Sequence, residues 1–324
     1  MKTQISAKII ADSISKTGNR ITSMELVFPR FILAELNTHR MFSKNSASSR
    51  AIPFNKVVEE VENNPFIPIA WQKNHKGMQG IEYLTEGDSA NAISLWLSAL
   101  DDALTRAQQL NRIEVTKQLC NRLLEPFMWH KVLLTATDFE NFFNLRCPQY
   151  HSPVDTHFRH RSKKDCIAAH SNPENLELMS NFIEVDWLKM NEGQAEIHMM
   201  ALAESMWDAL NESTPKELEE GDWHIPYGDK IDYIALQRDL GARSSFECDE
   251  LKIKIATAMC ARVSYTTVGK EGKESNYEAD LKLHDRLLKS GHFSPFEHCA
   301  MNTEDDNYYA NFKGWQQYRK QLEK

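Results

Sequence analysis

Residues 3–12 and 20–28 are two extended runs flanking the turn Lys16-Thr17-Gly18-Asn19. A strand pair of this kind, closed by a Gly-Asn turn, commits the start of the chain to a sheet. The longest periodic segment is of the other type. From Ser89 to Leu110, Ile93, Trp96, Leu97, Leu100, Leu104 and Ala107 recur at helical spacing. A chain holding both patterns is read as α+β.

Further elements follow in order. Pro29 opens a helix, P-R-F-I-L-A-E-L-N-T-H-R, whose polar end delivers His39 and Arg40. Short helices are expected over 55–62 and 113–124, with loop over 64–88. Val132-Leu133-Leu134 reads as a short buried strand. Thr137 with Glu140 fits a capping box before a helix over 138–146. Helices are expected over 194–210, 250–260 and 278–290. Residues 211–247 are turn-rich and aperiodic.

With 324 residues, the chain is long enough for one large domain or two small ones, and for a sizeable core. No apolar window approaches the length of a membrane span. The first residues lack the continuous apolar core of a signal peptide. A net charge of −8 argues against bulk nucleic-acid binding, though not against one local basic pocket. The six cysteines are scattered with no C-x-x-C pair, and are read as reduced thiols of a cytoplasmic protein.

Residues 147–192 differ in character and read as an insertion. Cys147, His151, His157, His160, Cys166 and His170 include enough nitrogen and sulfur for a zinc ion, but their spacing matches no ribbon or finger. No metal is expected. The run Arg159-His160-Arg161-Ser162-Lys163-Lys164 reads first as a solvated basic loop, with a nucleic acid or a polyglutamate tail as alternatives.

The stretch Thr38–Arg50, T-H-R-M-F-S-K-N-S-A-S-S-R, concentrates the polar chemistry. Arg40 and Arg50 can fork onto phosphate or carboxylate oxygens. Ser43, Asn45, Ser46 and Ser48 can donate to the same oxygens or to a heterocycle. On composition alone this is also a polar helix end running into a serine-rich loop.

The spacing H-R-x-x-S-x-N-x-x-S-x-R resembles the signature of the flavin-dependent thymidylate synthases, R-H-R-x-x-S-x-N-E-x-S-x-R-Y. His39, Arg40, Ser43, Asn45, Ser48 and Arg50 match, whereas Thr38, Ser46 and Ala51 depart. Ala261-Arg262-Val263-Ser264-Tyr265 is similar to the family's A-R-V-S-[FY] segment. Gly291–His298 is similar to its G-H-x-[ST]-P-F-E-H segment. Asn141–Arg146 resembles the helix ending N-F-x-x-L-R, and Gly193–Ile197 resembles A-Q-x-E-I. In ordinary members A-R-V-S and P-F-E-H come first. Here they come last, so the resemblance implies a circular permutant. One domain would span 1–324, with 211–250 as the new connector and 250–300 as the relocated motifs.

The resemblance implies a mixed α/β subunit, assembled as a homotetramer with shared sites. It implies methylation of dUMP to dTMP, with FAD and NADPH as cofactors and methylenetetrahydrofolate as one-carbon donor. Arg146 would stabilise the anionic pyrimidine, and His292 would sit near the flavin. His39, Arg40, Ser43, Asn141, Ser264 and Ser294 would bind the cofactor. Glu35, Ser46, Ser48, Arg50, Arg122 and Arg146 would bind the nucleotide, and no cysteine would act as nucleophile. Because Glu35 and Ser46 depart from the family's Gln and Glu, another pyrimidine or a hydroxymethyl product is a second reading. A third is a nucleotide- or nucleic-acid-binding protein without chemistry.

Overall fold

A computed structural model describes residues 3–76, 80, 82–151, 157–170, 172–265 and 276–323. The expected hairpin forms from β1 (Ser6–Ser15) and β2 (Arg20–Pro29), with Gly18 at φ +86° in the turn. A bulge at Ile10 shifts the register along β1. Pro29 closes β2 instead of opening a helix. Only a 3-10 turn (Arg30–Ile32) and the short α1 (Leu33–Leu36) follow, so His39 and Arg40 lie in the turn beyond them.

Ser43–Ser46 is a strand, β3, which the sequence reading treated as pocket loop. Pairing to a central strand overrides its low strand propensity. Next come α2 (Phe54–Asn63) and α3 (Glu86–Arg112), the latter capped by the Thr85 side chain on the Asp88 N–H.

The helix expected over 113–124 is broken. Glu114 takes φ +61°, the Val115 N–H reaches the Leu110 carbonyl at 3.1 Å, and the Glu114 N–H reaches that of Asn111 at 3.1 Å. This is a Schellman ending, with glutamate where glycine is usual. The chain restarts as α4 (Lys117–Cys120) and a 3-10 turn (Asn121–Phe127).

β4 (Trp129–Ala136) is longer than its Val-Leu-Leu centre suggested. α5 (Glu140–Arg146) lacks the expected capping box, because the Thr137 hydroxyl accepts the Lys313 N–H at 3.0 Å instead. α6 (Lys163–Ala168), α7 (Pro173–Ser180) and α8 (Glu184–Lys189) follow in the insertion, and then α9 (Ile197–Glu212).

Residues 211–250 are not an aperiodic connector. They hold β5 (Lys216–Leu218), β6 (Trp223–His224), α10 (Tyr233–Leu240) and the start of α11 (Ser245–Arg262). α12 (Tyr277–Lys289) and a 3-10 turn (Ser294–Glu297) precede β7 (Ala300–Asn302), β8 (Tyr308–Tyr309), β9 (Phe312–Lys313), β10 (Trp315–Gln317) and α13 (Tyr318–Leu322).

Among the described residues the main sheet runs β3-β4-β2-β1-β5, antiparallel except where β5 joins β1 in parallel. β7 lies between β10 and β6 in a smaller sheet. The fold class is therefore mixed α+β, as expected.

The two faces of the main sheet are covered differently. Met24, Leu26, Phe28, Val132 and Leu134 pack on Met199, Leu202 and Met206 of α9 and on Phe142 and Phe143 of α5. On the other face Leu133 meets Cys260 of α11, Val263 and Tyr227. Strand alternation thus sends one set of side chains to α9 and the other to α11. α2, α3 and α4 bury a separate cluster around Val57, Val61, Leu104 and Cys120.

The insertion docks on α9 through Glu204, whose carboxylate accepts from the Tyr150 hydroxyl at 3.1 Å and the Lys163 N–H at 2.7 Å. Burial lifts its pKa from 4.5 to about 7. The folded state therefore holds a proton that the unfolded chain releases at lower pH. Stability contributed here is lost as pH rises from about 4.5 to 7, and the penalty is fully present above 7. Glu204→Gln is expected to be more stable than wild type above pH 7, by up to about 3 kcal/mol. The gap should close below pH 4.5. Equal thermal midpoints at pH 8 would discard this account.

Candidate functional site

A cavity of about 700 Å3 opens where β3 meets the ends of α11 and α12. The segments expected to meet from opposite ends of the sequence do so within one chain. Ser46, Ser48 and Arg50 line it from one side, and Ser264, His292 and Ser294 from the other.

Asn45 joins the two halves. It is buried, its Nδ2 donates to the Cys260 carbonyl at 2.6 Å, and its Oδ1 accepts from Ser264 Oγ at 3.4 Å and Ser294 Oγ at 3.3 Å. The Ser48 N–H also reaches the Ser264 carbonyl at 3.2 Å. The turn from Ser48 to Ile52 is clamped from beneath by buried Asn121, whose Nδ2 donates to the carbonyls of Ser49 (2.8 Å) and Ile52 (3.1 Å). That clamp fixes Ser48 and leaves the Arg50 side chain exposed at the cavity.

His292 is placed by another Schellman ending. Gly291 takes φ +69°, and the His292 N–H donates to the Leu287 carbonyl at 3.0 Å. Pro295 then starts the 3-10 turn that presents Ser294. Arg262 braces the same region, with its Nε donating at 2.7 Å to fully buried Asp280 of α12.

His298 is also structural. It is buried, and its Nδ1 lies 2.9 Å from Thr135 Oγ1. Thr135 Oγ1 in turn bonds Ser23 Oγ at 2.6 Å, and Ser23 bonds His224, which reaches Ser13. Burial lowers both imidazoles to about 3, so this chain of polar groups is neutral at physiological pH.

Glu35, His39 and Arg146 form a second group outside the cavity wall. Arg146 Nε donates to His39 Nε2 at 3.1 Å, and Arg146 Nη1 lies 3.8 Å from Glu35 Oε2. Burial, with Arg146 and Lys44 adding, lowers the His39 pKa to about 4. The neutral ring accepts from arginine, which puts its proton on Nδ1. Burial, with Glu196 adding, raises the Glu35 carboxyl. Lys44 joins the two groups. It lines the cavity, and its ammonium donates to the carbonyls of His39 (2.9 Å) and Leu36 (3.1 Å). Burial lowers its pKa to about 8.

Several expected residues lie elsewhere. Ser43 is turned inward, and its Oγ accepts from Asn311 Nδ2 at 3.1 Å and Gln317 Nε2 at 3.2 Å, so it braces β3. Arg40, Asn141 and Arg122 are exposed and do not line the cavity. In their place Lys44, Thr116, Lys117 and Gln118 contribute to the wall. The last three lie in the stretch expected to be helix over 113–124, whose start turns instead, which is why periodicity hid them. Lys117 Nζ donates to the Ala51 carbonyl at 3.1 Å.

All six cysteines are buried thiols, and none lines the cavity. Burial raises Cys166 to about 11 and Cys299 to about 12. Among the described residues no three His, Cys, Asp or Glu side chains gather as a metal ion requires. No helix among them is long and apolar enough to cross a membrane.

No family model and no curated protein matches the chain. Among solved structures it is similar to the UMP/dUMP methylase PolB from Streptomyces cacaoi, bound with 5-Br dUMP. The identity is 14%, the TM-score 0.38, and the match covers 58% of this chain and 92% of that one. The same enzyme bound with 5-Br UMP gives 15% identity and a TM-score of 0.37, over 58% and 91%. At that distance the likeness bears on neither fold family nor activity.

Proposed function

We propose that the chain is an FAD-dependent synthase that methylates dUMP to dTMP, with methylenetetrahydrofolate as one-carbon donor and NADPH as reductant. Its scaffold is that of the flavin-dependent thymidylate synthases in circularly permuted order. The observation that carries this reading is the Asn45 junction. It ties the H-R-x-x-S-x-N segment to the A-R-V-S and P-F-E-H segments, although about 220 to 250 residues separate them.

The donor set suits anionic, heterocyclic ligands. Arg50 and Lys117 are cations at the rim, and the hydroxyls of Ser46, Ser48, Ser264 and Ser294 surround the floor. FAD, once bound and reduced by NADPH, would supply the hydride. Ser48 and Arg50 hold the nucleotide phosphate, and Ser264 and Ser294, oriented by Asn45, face the flavin with His292 at the rim. Arg146, always charged and joined to the cavity only through His39 and Lys44, would stabilise negative charge on the pyrimidine. Arg122, exposed and away from this cavity, would reach a nucleotide only at a neighbouring copy's site, as the homotetramer implied by the resemblance allows.

The test is to incubate the protein with FAD, NADPH, methylenetetrahydrofolate and dUMP and identify the nucleotide by mass. Absence of any product would count against the reading. Ser46, at the cavity where the family carries glutamate, favours a second reading in which the product is a hydroxymethyl or other 5-substituted pyrimidine. The same spectrum distinguishes the two.

Arg50→Ala is expected to raise the dUMP Kd about 10- to 100-fold, the loss of one charged hydrogen-bonding group. Calorimetric titration reads this directly. An unchanged Kd would remove Arg50 from the phosphate site.

A further inference from the structure

A second cavity, of about 570 Å3, lies between β5, β6, α11 and α13. Its size is that of a small-ligand site. Two of its walls are aromatic. Trp223 of β6 and Tyr318 of α13 meet edge to face, with 5.8 Å between ring centroids. Phe246, near the start of α11, stands 70% exposed beside it. So large an exposed ring at a cavity mouth offers a free stacking face.

The cations are as unusual. Lys216 of β5 and Lys252 and Lys254 of α11 all line the cavity, and among the described residues none of them has an ion-pair partner. The Lys252 ammonium instead sits 4.8 Å from the centroid of the Tyr233 ring. Burial lowers its pKa, against the opposing charges of Asp249 and Asp229. Asp249 and Glu250 also line the cavity, and Asp249 opposes that shift while accepting the Tyr233 hydroxyl. Asp222 is engaged by the Glu219 N–H at 3.0 Å. Lysines that line a cavity without a carboxylate at ion-pair distance, beside exposed aromatic rings, match a ligand that is planar at one end and anionic at the other.

We propose that this cavity is a second nucleotide site, distinct from the first, in which a base stacks on Phe246 and Trp223 while the phosphates lie between Lys216 and Lys252. The exposed Glu250 is left to accept from ribose hydroxyls. The proposal does not depend on the activity assigned to the first cavity.

The test uses the full chain. UTP and ATP are titrated by calorimetry and by tryptophan fluorescence, with uridine and inorganic tripolyphosphate as controls. Lys216→Glu and Phe246→Ala alter exposed side chains and leave the core intact. Each is expected to weaken triphosphate binding at least tenfold, while Arg50→Ala leaves that binding step unchanged. The proposal is overturned if neither nucleotide binds, or if Phe246→Ala or Lys216→Glu binds as wild type does. It is equally overturned if binding is lost only in Arg50→Ala, or if tripolyphosphate binds as tightly as UTP, since a bare anion needs no ring.

Discussion

Arg146→Ala is expected to lower turnover by about 100- to 1000-fold while leaving FAD binding near wild type. The comparison is with loss of one oxyanion donor, about 2.7–4 kcal/mol of transition-state stabilisation. Arg146 ends α5, where Phe142 and Phe143 are locked into the core and leave the guanidinium at the surface of the second polar group. It is held by a neutral histidine on one side and a carboxylate on the other. Neither partner cancels its charge fully, because His39 is uncharged and the Glu35 carboxylate stands 3.8 Å from Nη1, beyond hydrogen-bond reach. The arginine is therefore oriented but still able to meet an anion. Single-turnover kinetics separate the chemical step from flavin binding. Near wild-type turnover in this variant would exclude Arg146 from the reaction.

Asn45→Ala is expected to destabilise the protein by about 2–3 kcal/mol and to weaken dUMP and FAD binding together. A buried amide here makes three contacts, and its removal leaves the Cys260 carbonyl and the hydroxyls of Ser264 and Ser294 without their partner. Because those partners come from the ends of α11 and α12, both sides of the cavity should loosen at once. Urea denaturation and ligand titration report the two effects. A stability within about 0.5 kcal/mol of wild type would show that Asn45 does not join the halves.

The hairpin, the long α3 and the α11–α12 pair were legible because they follow period 2 or period 3.6. The meeting of residues 45–48 with 264–294 was legible only through motif resemblance, since no local pattern links segments so far apart. Three features stayed hidden for separable reasons. β3 is a polar strand, and its identity comes from pairing with β4 and from bonds made by Asn311 and Gln317. An end to α3 near residue 110 was expected, but the left-handed Glu114 that keeps the next residues out of a helix is not flagged by the sequence signals for helix ends. β5 is too short to show alternation, and it exists because it completes the open edge of β1. Ser43 and Asn45 were equally polar on paper. Both are buried, and their partners decide between a brace and a junction.

Because Ser13 pairs with Lys216, and Ser43 is held by Gln317, assembly has a timetable. At 5–20 residues per second, roughly 15 to 55 s separate the synthesis of β3 from that of the side chain that anchors it. Until β5 is made, about 10 to 40 s after β1 at the same rate, the emerging hairpin keeps the edge of β1 uncovered, and an uncovered edge invites pairing with another chain. Lys8 and Asp12 on β1 are the charges positioned to discourage such pairing before β5 arrives. The pairings of β1 with β5 and of β2 with β4 lie at long sequence separation, the class that folds slowly. Growth at lower temperature, or a slower inducer, should therefore raise soluble yield more than a stabilising core substitution would.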